Sequence, residues 1–147
     1  MTKNLYIEKY VPAVRLQGGI NTALPVMFNA KQVIVGSSTI TDLDAQSGTA
    51  TIAQLLGGVY THNSKTGAGT LTTPTGAQIT TGVNNAIVGT TFDCWYYNRG
   101  NQTVTLTAGA SGVTLYGTVA IATTKCAIMR FVCTAANTWS VYVNASA

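Results

Sequence analysis

Charge is what this chain has least of. Lysine, arginine, aspartate and glutamate make up 8% of its 147 residues, against roughly 25% in an ordinary globular domain. Its acids are Glu8, Asp42, Asp44 and Asp93, and its one histidine is His62. A glycosidase needs two carboxylates across a cleft, and beyond residue 50 the chain offers Asp93 alone. His62 has no second imidazole and no acid close in sequence, so neither a metal centre nor a catalytic relay is indicated. Asp42 and Asp44 read as turn and cap residues before they read as a cation site. The expectation is a protein that is not an enzyme and carries no cofactor.

Other absences narrow the field further. No apolar run approaches the roughly 20 residues of a membrane-spanning helix, and MTKNLYIEKYVPAVRL lacks the apolar core of a signal peptide. No membrane partner is expected, and synthesis in a cytosol is. The net charge of +4 comes from scattered positions, Lys3, Lys9, Arg15, Lys31, Lys65, Arg99, Lys125 and Arg130. A nucleic-acid binder clusters its cations on one element, so nucleic acid is not an expected partner. The glycine-rich stretch LLGGVYTHNSKTGAGTLTTPTGAQI contains no GK[ST], and its Gly67 and Gly69 lead into a strand-like TLTT. A phosphate cradle leads into a helix; these glycines read as a turn.

Cys94, Cys126 and Cys133 show no CxxC spacing. Such a set behaves as small buried hydrophobes, with one disulfide or a cross-link between subunits left open. On an uninterrupted strand, Cys126 and Cys133 point to opposite faces and cannot pair with each other.

What the chain does have is threonine, about one residue in six, a β-branched type suited to pleated surfaces. Much threonine and little charge suggest a surface largely covered by other protein, and hence oligomerisation. Residues 1–49 hold seven of the twelve charged residues and two of the three prolines, Pro12 and Pro25. Their apolar runs are short and broken, as in an extended arm. TATIAQLLGG then predicts a short helix capped at Thr49 or Thr51 with Gly57 at C′. VYTHNS and GTLTT, separated by KTGA, predict a hairpin, and PTGAQITTGVNNA a second short helix with Pro74 as its first residue.

The strongest strands follow. In TFDCWYYN, Trp95 and Tyr97 share one face, and Phe92, Cys94 and Tyr96 the other. Val104 and Leu106 point inward from QTVTLTA, and Trp139, Val141 and Val143 share a face of WSVYVN. KCAIMRFVCT is so apolar that both of its faces are expected to be covered. Arg130 there needs a partner, either Asp93 or a carbonyl of a neighbouring chain. Trp95 and Tyr97 point to a subunit interface ahead of a glycan platform. Ile128, Arg130 and Val132 on one face fit a trimer axis. Strand spacing predicts an all-β fold, a jelly-roll-like β-sandwich of about eight strands over 50–147 with the arm over 1–49. No repeat period emerges.

Three stretches carry a family resemblance: AQLLGGVYTHNSKTGAGTLTTPTG, VGTTFDCWYYNRGNQTVTLTAGASGVTLYG, and the closing hairpin ending in WSVYVN. In pattern and order, from about Thr49 to the C-terminus, the chain resembles the decoration, cement or head-fibre proteins of tailed-phage heads. The resemblance implies a β-sandwich that assembles as a homotrimer on the outer surface of the virion capsid and stabilises the shell. Its partner would be the major capsid protein, reached through the arm, with Leu5, Tyr6, Tyr10, Val14 and Arg15 as anchoring residues. The cysteines are not part of the pattern. Because the family's domain also occurs on fibres and spikes, the alternative it implies is a domain that binds a host-surface glycan.

Overall fold

The computed structural model describes residues 39–64 and 66–146. Leu5, Tyr6, Tyr10, Val14 and Arg15, expected to anchor the arm, lie outside the described residues.

The chain passes back and forth between two sheets. Strands β1 (Thr39–Leu43), β3 (Gly58–His62) and β5 (Thr91–Asn98) lie side by side in one, and β2 (Ser47–Thr49), β4 (Gly69–Thr72) and β6 (Val104–Thr107) in the other. Within each trio the neighbours run parallel. The path is therefore a coil: each circuit lays one strand in each sheet and returns one strand further along, the logic of a β-solenoid. The remaining strands close it. Strand β9 (Cys126–Ala135) runs antiparallel to β5 and to β10 (Thr138–Ala145), and β7 (Val113–Gly117) pairs parallel with β10 at the far edge. In the second sheet β8 (Ala120–Ile121) lies antiparallel to β6. The first sheet thus has the order β1-β3-β5-β9-β10-β7, and the second β2-β4-β6-β8.

The expected all-β, two-sheet architecture is present. The pairing departs from the antiparallel neighbours of a jelly roll, because five of the eight pairings among the described residues are parallel. The physical reason lies in the turns. VYTHNS and GTLTT form β3 and β4, which sit in different sheets, so the two make no hairpin. A Gly-rich corner and a Gly-rich hairpin loop read alike in sequence. The expected domain boundary at 49/50 also moves. β1 and β2 pair with β3 and β4, so residues 39–49 belong to the sheets and not to an arm.

Two short helices bridge the circuits, α1 (Ile52–Leu56) between β2 and β3, and α2 (Gly76–Gly82) between β4 and β5. Both begin with a reciprocal capping box. Thr51 Oγ1 accepts from Gln54 N at 3.3 Å while Thr51 N donates to Gln54 Oε1 at 2.8 Å; Thr75 and Gln78 do the same at 3.3 and 2.9 Å. Pro74 therefore precedes the cap and is not the first helical residue. Gly57 is the C-cap in the right-handed region, and it is Gly58 that takes φ 88°, a conformation that favours glycine.

One core lies between the sheets. Tyr96, Met129, Phe131, Trp139 and Val141 come from the first sheet, Leu71, Val104, Leu106 and Ile121 from the second, and Leu55 and Ile79 from the helices. Phe92 stacks on Phe131 with ring centroids 4.5 Å apart. Trp139 Nε1 donates to Thr80 Oγ1 at 3.0 Å, tying α2 to the sheet. The expected alternations hold on β5, β6 and β10. On β9 the expectation of two covered faces does not. Ala127, Met129, Phe131 and Cys133 are buried, but Arg130 is exposed and Ile128 and Val132 are half-buried.

Candidate functional site

The outward face of the first sheet is the molecule's distinctive surface. Side chains that alternate away from the core on β5, β9, β10 and β7 form ordered rows across the strands. One row runs Asp93, Arg130, Tyr142, Tyr116, each paired in register with the next. The adjoining row runs Ile40, Val59, Trp95, Ile128, Asn144. Tyr97 continues β5 outward beside Cys126 and Thr61. Trp95 is 53% exposed, and Ile40, Tyr97, Tyr116 and Tyr142 are exposed with it. Tyr116 and Tyr142 stack at 5.3 Å between centroids, which pre-organises the flat end of the face.

The centre of this face is neutralised from within. Arg130 Nε donates to Asp93 Oδ1 at 2.8 Å and Nη2 to Asp93 Oδ2 at 2.7 Å, a two-pronged pair between ladder partners. Those hydrogen bonds hold the Asp93 carboxyl below the usual carboxylate range, against a smaller opposing effect of burial. The partner expected for Arg130 was either Asp93 or a foreign carbonyl, and within the chain it is Asp93. A hollow of about 220 Å³ opens beside Trp95, lined also by Cys126, Ile128, Asn144 and Ser146.

The sequence reading placed Trp95, Tyr97, Ile128, Arg130 and Val132 at an interface, and the structure gathers all five on this one face. It missed Tyr142, Tyr116 and Ile40. The signal for Tyr142 was present, since a residue between inward Val141 and Val143 must point outward.

The cysteines divide as parity requires. Cys94 and Cys133 are buried, Cys126 is partly exposed, and all three thiols are free. Burial pushes the Cys94 thiol up to about 12, so it stays protonated and unreactive near neutrality.

A buried polar corner supports the first sheet at the other end of β3 and β5. Asn98, fully buried, donates through Nδ2 to the carbonyls of Gln102, Ile121 and Ala122 at 2.8, 2.9 and 3.1 Å and accepts from Gly100 N at 3.1 Å. It ties the corner after β5 to β8. Nothing in the local sequence announces Asn98 as a cross-sheet anchor. His62, its ladder partner, is buried and shares a 2.8 Å hydrogen bond with the carbonyl of Ala45 through Nε2. His62 Nδ1 and the Tyr96 hydroxyl are buried without a hydrogen-bond partner among the described residues. Of the two acids expected in turns, Asp44 lies in the corner between β1 and β2 and Asp42 does not. Asp42 lies in β1 and accepts from Thr61 Oγ1 at 2.7 Å and from Arg99, while Asp44 accepts from Asn63 Nδ2 at 2.7 Å.

Among the described residues no group of three or more His, Cys, Asp or Glu side chains is placed to hold a metal ion, and no helix is long and apolar enough to cross a membrane. No protein-family model, no curated protein and no solved structure matches the chain.

Proposed function

We propose that this chain is a structural protein of a tailed-phage particle, a homotrimeric decoration or cement protein that sits on the outside of the assembled capsid and stabilises the shell. One observation carries the self-association: a broad sheet face of exposed Trp95, Tyr97, Tyr116, Tyr142 and Ile40 whose central charges, Asp93 and Arg130, already cancel. Such a face asks little desolvation of net charge from a partner. The motif resemblance supplies the capsid, and the major capsid protein is the partner it implies. A protein that binds the assembled lattice and not loose subunits stabilises the lattice by mass action.

The test is compositional. Virions that encode the chain are purified and analysed by mass spectrometry and by imaging of their shells. Stoichiometric copies on the outer surface are expected; their absence from the particle contradicts the proposal.

A second reading, a fibre or spike domain that binds a host glycan, rests on the hollow beside Trp95 with the Asn144 amide at its wall. An exposed indole beside a polar group suits a sugar ring. Glycan-array binding that Trp95→Ala abolishes, with the fold intact, favours it; no array signal removes it.

A further inference from the structure

Residues 39–49 hold β1, a short corner and β2. No residue of this segment is buried; Thr41, Leu43 and Gly48 are half-buried and the others exposed. Leu43 packs against the edge of the core, whereas Ile40 is left 67% exposed. Closing the segment therefore buries little apolar surface and gains little from it. Strands β9 and β10 are the opposite case, with Met129, Phe131, Trp139 and Val141 buried.

Polar contacts supply much of the hold. β1 lies on β3 and β2 on β4 in two short parallel ladders. Thr61 Oγ1 donates to Asp42 and Asn63 Nδ2 to Asp44, both at 2.7 Å, and Gln46 Nε2 donates to the Ala68 carbonyl at 3.0 Å. Arg99, just after β5, reaches across: its Nε donates to Asp42 Oδ1 at 3.0 Å and its Nη2 to Asp42 Oδ2. Both partners of this two-pronged pair stay substantially exposed, so salt screens it. If the segment lifts away, β3 keeps its ladder to β5 and β4 its ladder to β6. A segment with few buried apolar groups and many exposed hydrogen bonds opens at lower free energy than the whole fold.

We infer that residues 39–49 are a strap, latched by the Arg99–Asp42 pair, which opens while the rest of the fold holds. The strap bears on assembly through Ile40, which β1 carries into the outward row beside Val59 and Trp95. Contact between copies through that face covers Ile40 and holds the strap shut; an open strap withdraws Ile40 from the contact. The two equilibria are therefore linked, each favouring the other by the same factor. This link rests on the self-association proposed above, whereas the strap and its latch do not.

Amide hydrogen exchange of the full chain, read residue by residue by NMR, tests this. Thr39 N donates to the Gly57 carbonyl, Asn63 N to that of Leu43 and Ala50 N to that of Thr72, each at 2.9 Å, so all three bonds break when the strap opens. Cys133 N and Trp139 N, bonded to the carbonyls of Thr90 and Gly112, serve as references. In the single-copy Trp95→Asp, Tyr142→Asp variant the three strap amides are expected to exchange together, faster than the references by on the order of tenfold or more. Adding Arg99→Gln is expected to speed them a further two- to fivefold, roughly, and to leave the references unmoved. A common rate for strap and reference amides, or an Arg99→Gln effect equal on both, overturns the strap. In the native chain the strap amides are expected to slow as copies associate. Association seen by sedimentation without that slowing overturns the link to assembly. A native chain that never associates overturns the self-association reading and the link with it, and the strap is then decided by the strap and reference rates alone.

Discussion

Asp93 and Arg130 face each other across adjacent antiparallel strands and exchange two hydrogen bonds, 2.8 and 2.7 Å long, amid the aromatic face of the first sheet. The pair cancels the two charges at the centre of that face and holds both side chains to each other. If the face packs on other copies, the pair orients the contact. Arg130→Ala alone is expected to weaken assembly, because it leaves the Asp93 carboxylate facing an apolar partner. The exchange Asp93→Arg with Arg130→Asp is expected to recover part of the loss, read by sedimentation.

The same pair sets a pH dependence. Arg130 holds the Asp93 carboxyl below its ordinary value, so its contribution to stability is complete above about pH 4. It fades as the pH falls through the lower value of the folded chain, when the carboxyl takes up its proton. Thermal melts at descending pH are expected to show an acid loss that is shallower in Asp93→Asn. Equal acid slopes in both proteins contradict this.

Asn98→Ala removes four hydrogen bonds made by a fully buried side chain and leaves the Ile121 carbonyl without its side-chain donor. A loss on the order of 3 kcal/mol is expected in urea denaturation. A loss near zero means that the corner does not anchor β8.

Much of this design is legible in sequence where the period is two. The inward sets on β5, β6 and β10 follow from alternation, and so does the separation of Cys126 from Cys133. The coil itself is hidden. Its strands return at unequal intervals, Thr39 to Gly58 but Val59 to Trp95, because the connections from β3 to β4 and from α2 to β5 are longer than their counterparts in the first circuit. Without a constant period there is no repeat to find, and corners pass for hairpins. The outward row was half legible. Trp95 and Tyr97 stand in one segment, whereas Tyr116 and Tyr142 join them through a parallel β7–β10 pairing that no local pattern announces.

Tyr96→Phe runs against the usual direction of core mutations. The Tyr96 hydroxyl is buried without a partner among the described residues, so removing it is expected to relieve a desolvation cost that no described group offsets. The variant is expected to be as stable as the native chain or more so, by about 1 kcal/mol. A clear destabilisation in urea denaturation contradicts this and indicates a partner for the hydroxyl.

Thiol labelling separates the cysteines. Cys126 is expected to react with a maleimide in the folded, single-copy Trp95→Asp, Tyr142→Asp variant, and Cys94 and Cys133 only after unfolding, since both are buried and the Cys94 thiol is pushed up to about 12. Mass spectrometry after a short pulse reads the count. Any cross-link between subunits must then run through Cys126, and rapid native labelling at Cys94 contradicts the burial described for β5.

The central claim is that the outward face of the first sheet joins copies of this chain. Sedimentation equilibrium of the full-length protein beside its Trp95→Asp, Tyr142→Asp variant tests it most directly, because both side chains are exposed and neither supports the core. The expected result is a mass of three copies for the native chain and of one copy for the variant, with unchanged circular dichroism. A native chain that sediments as one copy at every concentration, or a variant that keeps three, contradicts the account.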